Sequence, residues 1–199
     1  MVTPARGDYL SIPITMASKV VADAWDPAKD EAAGEQCKSY GAAGIMRLPE
    51  RLHITWQDDM TLRMDIDGGT QTRQFHFGDW KTPGGVPTWQ GDSSAQWETR
   101  IPPGGRGPSA GASGSGSLKV TTTHLRAGYL RKNGVPYSEN ATLTEYYDVV
   151  RERNGDLWLM VASVVRDPHY LQQPFITSSQ FKKQSDASGW DPTPCSSKW

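Results

Sequence analysis

Three ionisable side chains stand among apolar neighbours at strand spacing: Arg73, His124 and Glu145. Glu145 belongs to the run Ala141–Val150, which reads as a hairpin with Leu157–Arg166 through Asn154-Gly155. That turn sets Val149 against Met160, Tyr147 against Ala162 and Glu145 against Val164. One face then carries Leu143, Glu145, Tyr147, Val149, Trp158, Met160, Ala162 and Val164. A lone carboxylate in such a row resists ionisation and can serve as an acid or base near neutrality. The competing reading is a turn-ward glutamate paired with a nearby arginine. Gly68-Gly69 sets Met64 against Arg73 and Leu62 against Phe75, so Arg73 shares an apolar face. A buried guanidinium requires an anion, either Glu145 or a ligand carboxylate; otherwise Arg73 is an edge residue reaching solvent. His124 follows Leu118, Val120 and Thr122 on one side of its strand, as a proton acceptor or as a hydrogen-bonded core residue.

Read together, Arg73, His124 and Glu145 are expected to project into one interior as the catalytic candidates. A positioned acid and base without a cofactor suit isomerisation, cyclisation or elimination. Tyr147, Trp158, Met160 and Trp56 are the apolar and aromatic candidates for lining a ligand site. The loop carrying Tyr129, Arg131 and Asn133 is either a cover for the mouth of that site or an ordinary crossing loop. No metal is implied, because the histidines divide between faces and neither CxxC nor HxH spacing occurs. Motifs of the GxSxG, HExxH, Walker or GxGxxG type are absent.

The elements that must position these residues are mostly strands. Residues 1–50 read as an irregular segment with short helices. Thr15 can cap a helix toward Trp25, and Asp26-Pro27 starts a second that ends before Gly34, while the stretch around Gly41 and Gly44 reads as loop. From Arg51 the period becomes two, with Leu52, Ile54 and Trp56 alternating with His53 and Thr55. Further strands are expected at Gln71–Phe77, Ser94–Trp97, Leu118–Leu125 and Phe175–Lys182. Residues 102–117, rich in Gly, Ser and Pro, read as a flexible loop within the domain. The expectation is a mainly β chain: an antiparallel barrel, or a sandwich, over 51–199, with the short N-terminal helices packed on it.

At 199 residues one domain is the natural count, and 8 Trp, 7 Tyr and 4 Phe offset a hydrophobic content of only 36%. A net charge of -1 with scattered cations gives no basic face, which argues against nucleic acid as a partner. No apolar run approaches the roughly 20 residues of a membrane-spanning helix. In an exported chain Cys37 and Cys195 would pair; the alternative is two unrelated buried thiols. The opening Met1-Val2-Thr3-Pro4 is already loop-like, so a longer precursor with a removed signal peptide is expected.

Several ordered elements resemble a group of uncharacterised exported bacterial proteins. They are Trp89-Gln90-Gly91 with Trp97-Glu98, the run Ser117 to His124, Arg131-Lys132-Asn133-Gly134, Leu143-Thr144-Glu145, and Asp167-Pro168-His169-Tyr170-Leu171 before Pro174. The resemblance spans about half the chain. It implies a lipocalin-like β-barrel and a periplasmic or secreted location, and it assigns no reaction. The functional expectation is a barrel that binds a small hydrophobic or aromatic molecule, with acid–base catalysis, non-catalytic carriage or an envelope interaction module as the competing forms.

Overall fold

Thr15 accepts a hydrogen bond from the Ser18 amide and so caps α1 (Met16–Asp23). Asp26 caps α2 (Pro27–Ala32) through the Ala28 amide, with Pro27 in the first turn where its missing N–H costs nothing. The computed structural model describes residues 5–99 and 116–197. The loop expected at 102–117 therefore lies outside the described residues up to position 115; Gly116 and Ser117 already belong to a strand.

The Gly41–Gly44 stretch is not a loop. A 3₁₀ helix (Gln36–Tyr40) runs into α3 (Ala42–Ile45), and all of 39–46 is buried. The glycines are there for close approach: a Cβ on Gly44 would meet the Tyr129 carbonyl at 2.7 Å.

Ten strands follow among the described residues: β1 (Leu52–Asp58), β2 (Thr61–Ile66), β3 (Gln71–His76), β4 (Asp92–Thr99), β5 (Gly116–Thr123), β6 (Gly128–Tyr129), β7 (Pro136–Tyr137), β8 (Thr142–Arg151), β9 (Leu157–Arg166) and β10 (Phe175–Lys182). Eight form one sheet in the order β1-β2-β3-β4-β5-β8-β9-β10, strongly curled into a half-barrel; β6 and β7 pair separately. The mainly β expectation holds, but the sheet does not close: no strand among the described residues pairs the outer edges of β1 and β10. It is also not wholly antiparallel. β3 and β4 run parallel, which the long connection over 77–91 permits.

Two clusters make the core. Met64, Ile66, Phe75, Leu118, Val120, Tyr147 and Val161 fill the concave side of the sheet. Ala22, Ala42 and Ala43 from the N-terminal segment join Leu125, Tyr137, Leu143 and Val165 at one end. Complete burial of Phe75 or Ile66 stabilises by about 1.5–3 kcal/mol each. Among the described residues no helix is long and apolar enough to cross a membrane.

One register differs from expectation. β2 and β3 pair as read, with Met64 against Arg73 and Leu62 against Phe75. In β8–β9, however, Glu145 faces Ser163, Tyr147 faces Val161, and Met160 faces Asp148. The turn is closed by Glu152 and Asp156, leaving a three-residue loop with Gly155 at φ 92° instead of a two-residue one. The single extra residue transfers Trp158, Met160, Ala162 and Val164 to the face opposite Glu145.

Candidate functional site

β3 and β8 both turn alternate residues into the concave side of the sheet, and each contributes one charge there. Arg73 lies beside Phe75, and Glu145 lies between Leu143 and Tyr147; both side chains are 0% exposed. The guanidinium meets the carboxylate as a fork: Nη2 donates to Oε2 at 2.5 Å and Nη1 to Oε1 at 3.0 Å. Nη1 also donates to the Tyr147 hydroxyl at 3.3 Å, and Nη2 to Thr122 Oγ1 at 3.3 Å, which in turn bonds Ser93 Oγ at 2.8 Å. Burial opposes the charge on Arg73, but the Glu145 carboxylate and Tyr147 more than reverse it and leave the guanidinium pKa above its ordinary value. Burial pushes the Tyr147 hydroxyl well above its ordinary value. The structure thus joins two of the three catalytic candidates into a sealed, mutually neutralising pair.

It does not bring His124 to them. β5 ends at Thr123, and His124 takes the left-handed conformation, φ 55°, so the strand alternation stops one residue short of it. Leu125, fully buried, takes the next inward place. The His124 ring lies at the sheet end with Nδ1 2.8 Å from Asp92 Oδ2 and Nε2 3.0 Å from the Gly85 carbonyl. Both ring nitrogens thus have a polar partner within the fold. No hydrogen bond or ion pair joins His124 to Arg73 or Glu145 among the described residues.

A large cleft lies where the half-barrel fails to close. Its volume is about 920 Å³, and its walls come from the start of β1, the turn-ward ends of β8, β9 and β10, and the chain from Lys183 to Trp190. Ile54, Val149, Leu157, Trp158, Leu159, Phe181 and Trp190 supply an apolar and aromatic lining, with Arg51, Lys182 and Lys183 at its borders. Trp190 stands edge-on to His53, with ring centroids 6.2 Å apart. Val149 is 70% exposed, unusual for a core-parity residue of β8, because no described residue covers it. The C-terminal strap is held at several points. Cys195 forms a disulfide with Cys37, the Thr193 amide donates to the Asp67 carbonyl at 3.0 Å, and Ser197 donates to Pro27 O and Glu31.

The remaining candidates scatter. Trp158, half-buried at the start of β9, does line the cleft. Tyr147 is in the sealed core, and Met160 lies on the outer face between Asp148 and Gln180. Trp56 is 54% exposed on the edge strand β1, where its ring leans on Phe77 at 5.3 Å. The loop with Tyr129, Arg131 and Asn133 does not cover a mouth. Asn133 Nδ2 donates to the carbonyls of Ala5 and Asp8, Arg131 donates to Leu10 O and Ser11 Oγ, and Tyr129 packs on Trp25 and bonds Asp30. These residues clamp the N-terminal segment onto the barrel end. Trp190, Phe181 and His53 are cleft residues that strand patterning missed. The one signal for Trp190 was its position between a strand and Cys195, whose pairing with Cys37 draws the tail across the sheet. No three His, Cys, Asp or Glu side chains among the described residues cluster as metal ligands do.

Fold and cleft together define an open β half-barrel strapped by its own C-terminal segment. The chain matches no protein-family model, no curated protein and no solved structure.

Proposed function

We propose that the seam cleft binds a small hydrophobic or aromatic molecule and that the protein acts as an exported carrier of it. The carrying observation is the cleft itself: about 920 Å³ lined by Trp158, Trp190, Leu159, Phe181 and Ile54, a size and chemistry suited to one drug-sized apolar ligand. Binding is favoured over acid–base catalysis because Arg73 and Glu145 are spent on each other out of reach of solvent, and His124 has both nitrogens engaged. The Cys37–Cys195 disulfide supports an oxidising compartment, hence a periplasmic or secreted location.

The test is a fluorescence titration with N-phenyl-1-naphthylamine, a neutral aromatic probe. Saturable enhancement is expected, with affinity lowered about tenfold or more in Trp158→Ala and Trp190→Ala. Absence of saturable binding, or an affinity in both variants equal to the parent's, overturns the proposal. A second reading, an envelope interaction module, draws on one observation: Trp56 on the edge strand β1, Phe77 and Trp97 on β4 form a continuous aromatic row, with Trp56 54% and Trp97 60% exposed.

A further inference from the structure

A second cavity, of about 400 Å³, opens in the wedge between β3 and the chain leading into β4. Its origin is topological. The parallel ladder of β3 and β4 spans only Phe75↔Ser93 and His76↔Ser94, so Gln71–Gln74 and Thr88–Gly91 run side by side without pairing. Gly91, at φ 60°, then turns the chain toward β5; a Cβ there would meet the Thr123 carbonyl at 2.5 Å.

The lining chemistry differs from that of the seam. Gln71, Gln74 and Gln90 bring three amides, Asp92 a carboxylate, His76 an imidazole and Trp89 an indole; no lysine or arginine contributes. The orientation of Gln90 is settled by its partners. Nε2 donates to the Tyr40 carbonyl at 2.8 Å and to Gln71 Oε1 at 2.9 Å, while Gln71 Nε2 is itself taken by the Gly69 carbonyl at 2.6 Å. Gln90 Oε1 must therefore accept, and among the described residues it is buried with no donor. Asp92 gives Oδ2 to His124, and its Oδ1 carries no hydrogen bond among the described residues. His76 is stacked on Trp80 at 4.2 Å, and burial lowers its pKa, which favours the neutral ring able both to donate and to accept. Trp89 is held by Arg126, whose guanidinium lies 4.2 Å from the ring centroid and is anchored by Glu35.

Gln90 Oε1 is shut away from the cavity, but Asp92 Oδ1 and Gln74 Oε1, acceptors with no donor among the described residues and no cation beside them, call for a ligand that donates hydrogen bonds and carries no negative charge. An indole beside them calls for a flat C–H face. We propose that this wedge is a second binding site, separate from the seam cleft, for a neutral polyhydroxylated ligand of sugar-ring size. An apolar ligand would strip water from Asp92 Oδ1 and Gln74 Oε1 without replacing it, and an anion would face Asp92 with no positive lining group.

The test is saturation-transfer NMR on the intact, oxidised protein. The panel is methyl β-glucoside, methyl α-mannoside, methyl β-galactoside and chitobiose, with glucose 6-phosphate as the anionic control. At least one neutral saccharide should show saturation transfer, and its affinity should fall about tenfold in Trp89→Ala and in Gln74→Ala. Gln74 is exposed, so that variant keeps its thermal midpoint and remains informative if Trp89→Ala folds poorly. Trp158→Ala, in the seam cleft, should leave saccharide binding unchanged. No transfer from any neutral saccharide, preference for glucose 6-phosphate, or binding unaffected by Gln74→Ala overturns the proposal.

Discussion

Removing the Cys37–Cys195 disulfide tests the energetics of the strap and its role in the cleft at once. The crosslink closes a loop with a sequence separation of 158 residues. In the chain-entropy account such a loop removes about 17 cal/mol/K from the unfolded ensemble, or about 5 kcal/mol at 25 °C, the upper end of the 2–5 kcal/mol seen when native disulfides are removed. For a chain of this size 1 kcal/mol moves Tm by about 2–4 °C, so the double variant Cys37→Ser/Cys195→Ser should melt about 10–20 °C below the parent. Differential scanning calorimetry with and without a phosphine reductant reads this directly, and the reduced parent should match the variant. The second readout is local. Without the crosslink the tail is left with non-covalent ties, among them Thr193 N to Asp67 O, Asp191 N to Asp67 Oδ2, Thr70 Oγ1 to Thr193 O and the Ser197 contacts, so Trp190 is held less firmly on the cleft wall. Affinity for N-phenyl-1-naphthylamine should then fall well below Tm. A Tm within 2 °C of the parent would refute the loop-closure reasoning. A lowered Tm with unchanged probe affinity would refute the assignment of the strap as a cleft wall.

Three further outcomes are expected. Arg73→Met alone should destabilise by about 3–5 kcal/mol because Glu145 is left charged and buried, whereas Arg73→Met/Glu145→Leu should recover most of that loss in urea unfolding. Gly134→Ala should cost more than about 1 kcal/mol in the same assay, since Gly134 sits at φ 82° and a Cβ would meet Trp25 at 2.3 Å. Glu50, whose pKa is raised by burial and then by the neighbouring Asp67, favours the folded state most when protonated; that contribution is full below its unfolded pKa and is lost as pH rises through the folded one. Glu50→Gln should therefore raise Tm at pH 7 and not at pH 4, and an equal shift at both would exclude the effect.

How much of this was legible in the sequence depended on the turns. The β2–β3 register was readable because Gly68-Gly69 sits symmetrically between Ile66 and Gln71, and from it followed the inward position of Arg73. Glu145 was also placed inward, since β8 alternates without interruption from Leu143 to Tyr147. Asn154-Gly155 was misread because the same dipeptide serves a two-residue loop or the end of a three-residue one. The choice depends on whether Glu152 pairs with Asp156, a contact set by the sheet rather than by the dipeptide. His124 failed for a different reason. Period two holds only while the backbone stays extended; His124 takes a left-handed φ, and its ring meets Asp92 and Gly85, both distant in sequence.

The seam cleft lay beyond local reasoning altogether. Its existence depends on the summed curl of eight strands, which carries β1 near the ends of β9 and β10 without bringing their edges into pairing distance. No periodicity in any one strand encodes that sum. An open edge must be covered, and here cover comes from the tail beyond β10, tied by Cys195 to the 3₁₀ helix that holds Cys37. A strap drawn over an unclosed sheet becomes one wall of whatever space the sheet leaves, and its side chains become lining. Trp190 belongs to the site for that reason and not because of its own neighbours in sequence. Trp158 reaches the same space although the register that first suggested it was off by one residue, because the cleft gathers residues from both faces where β9 begins and the sheet ends.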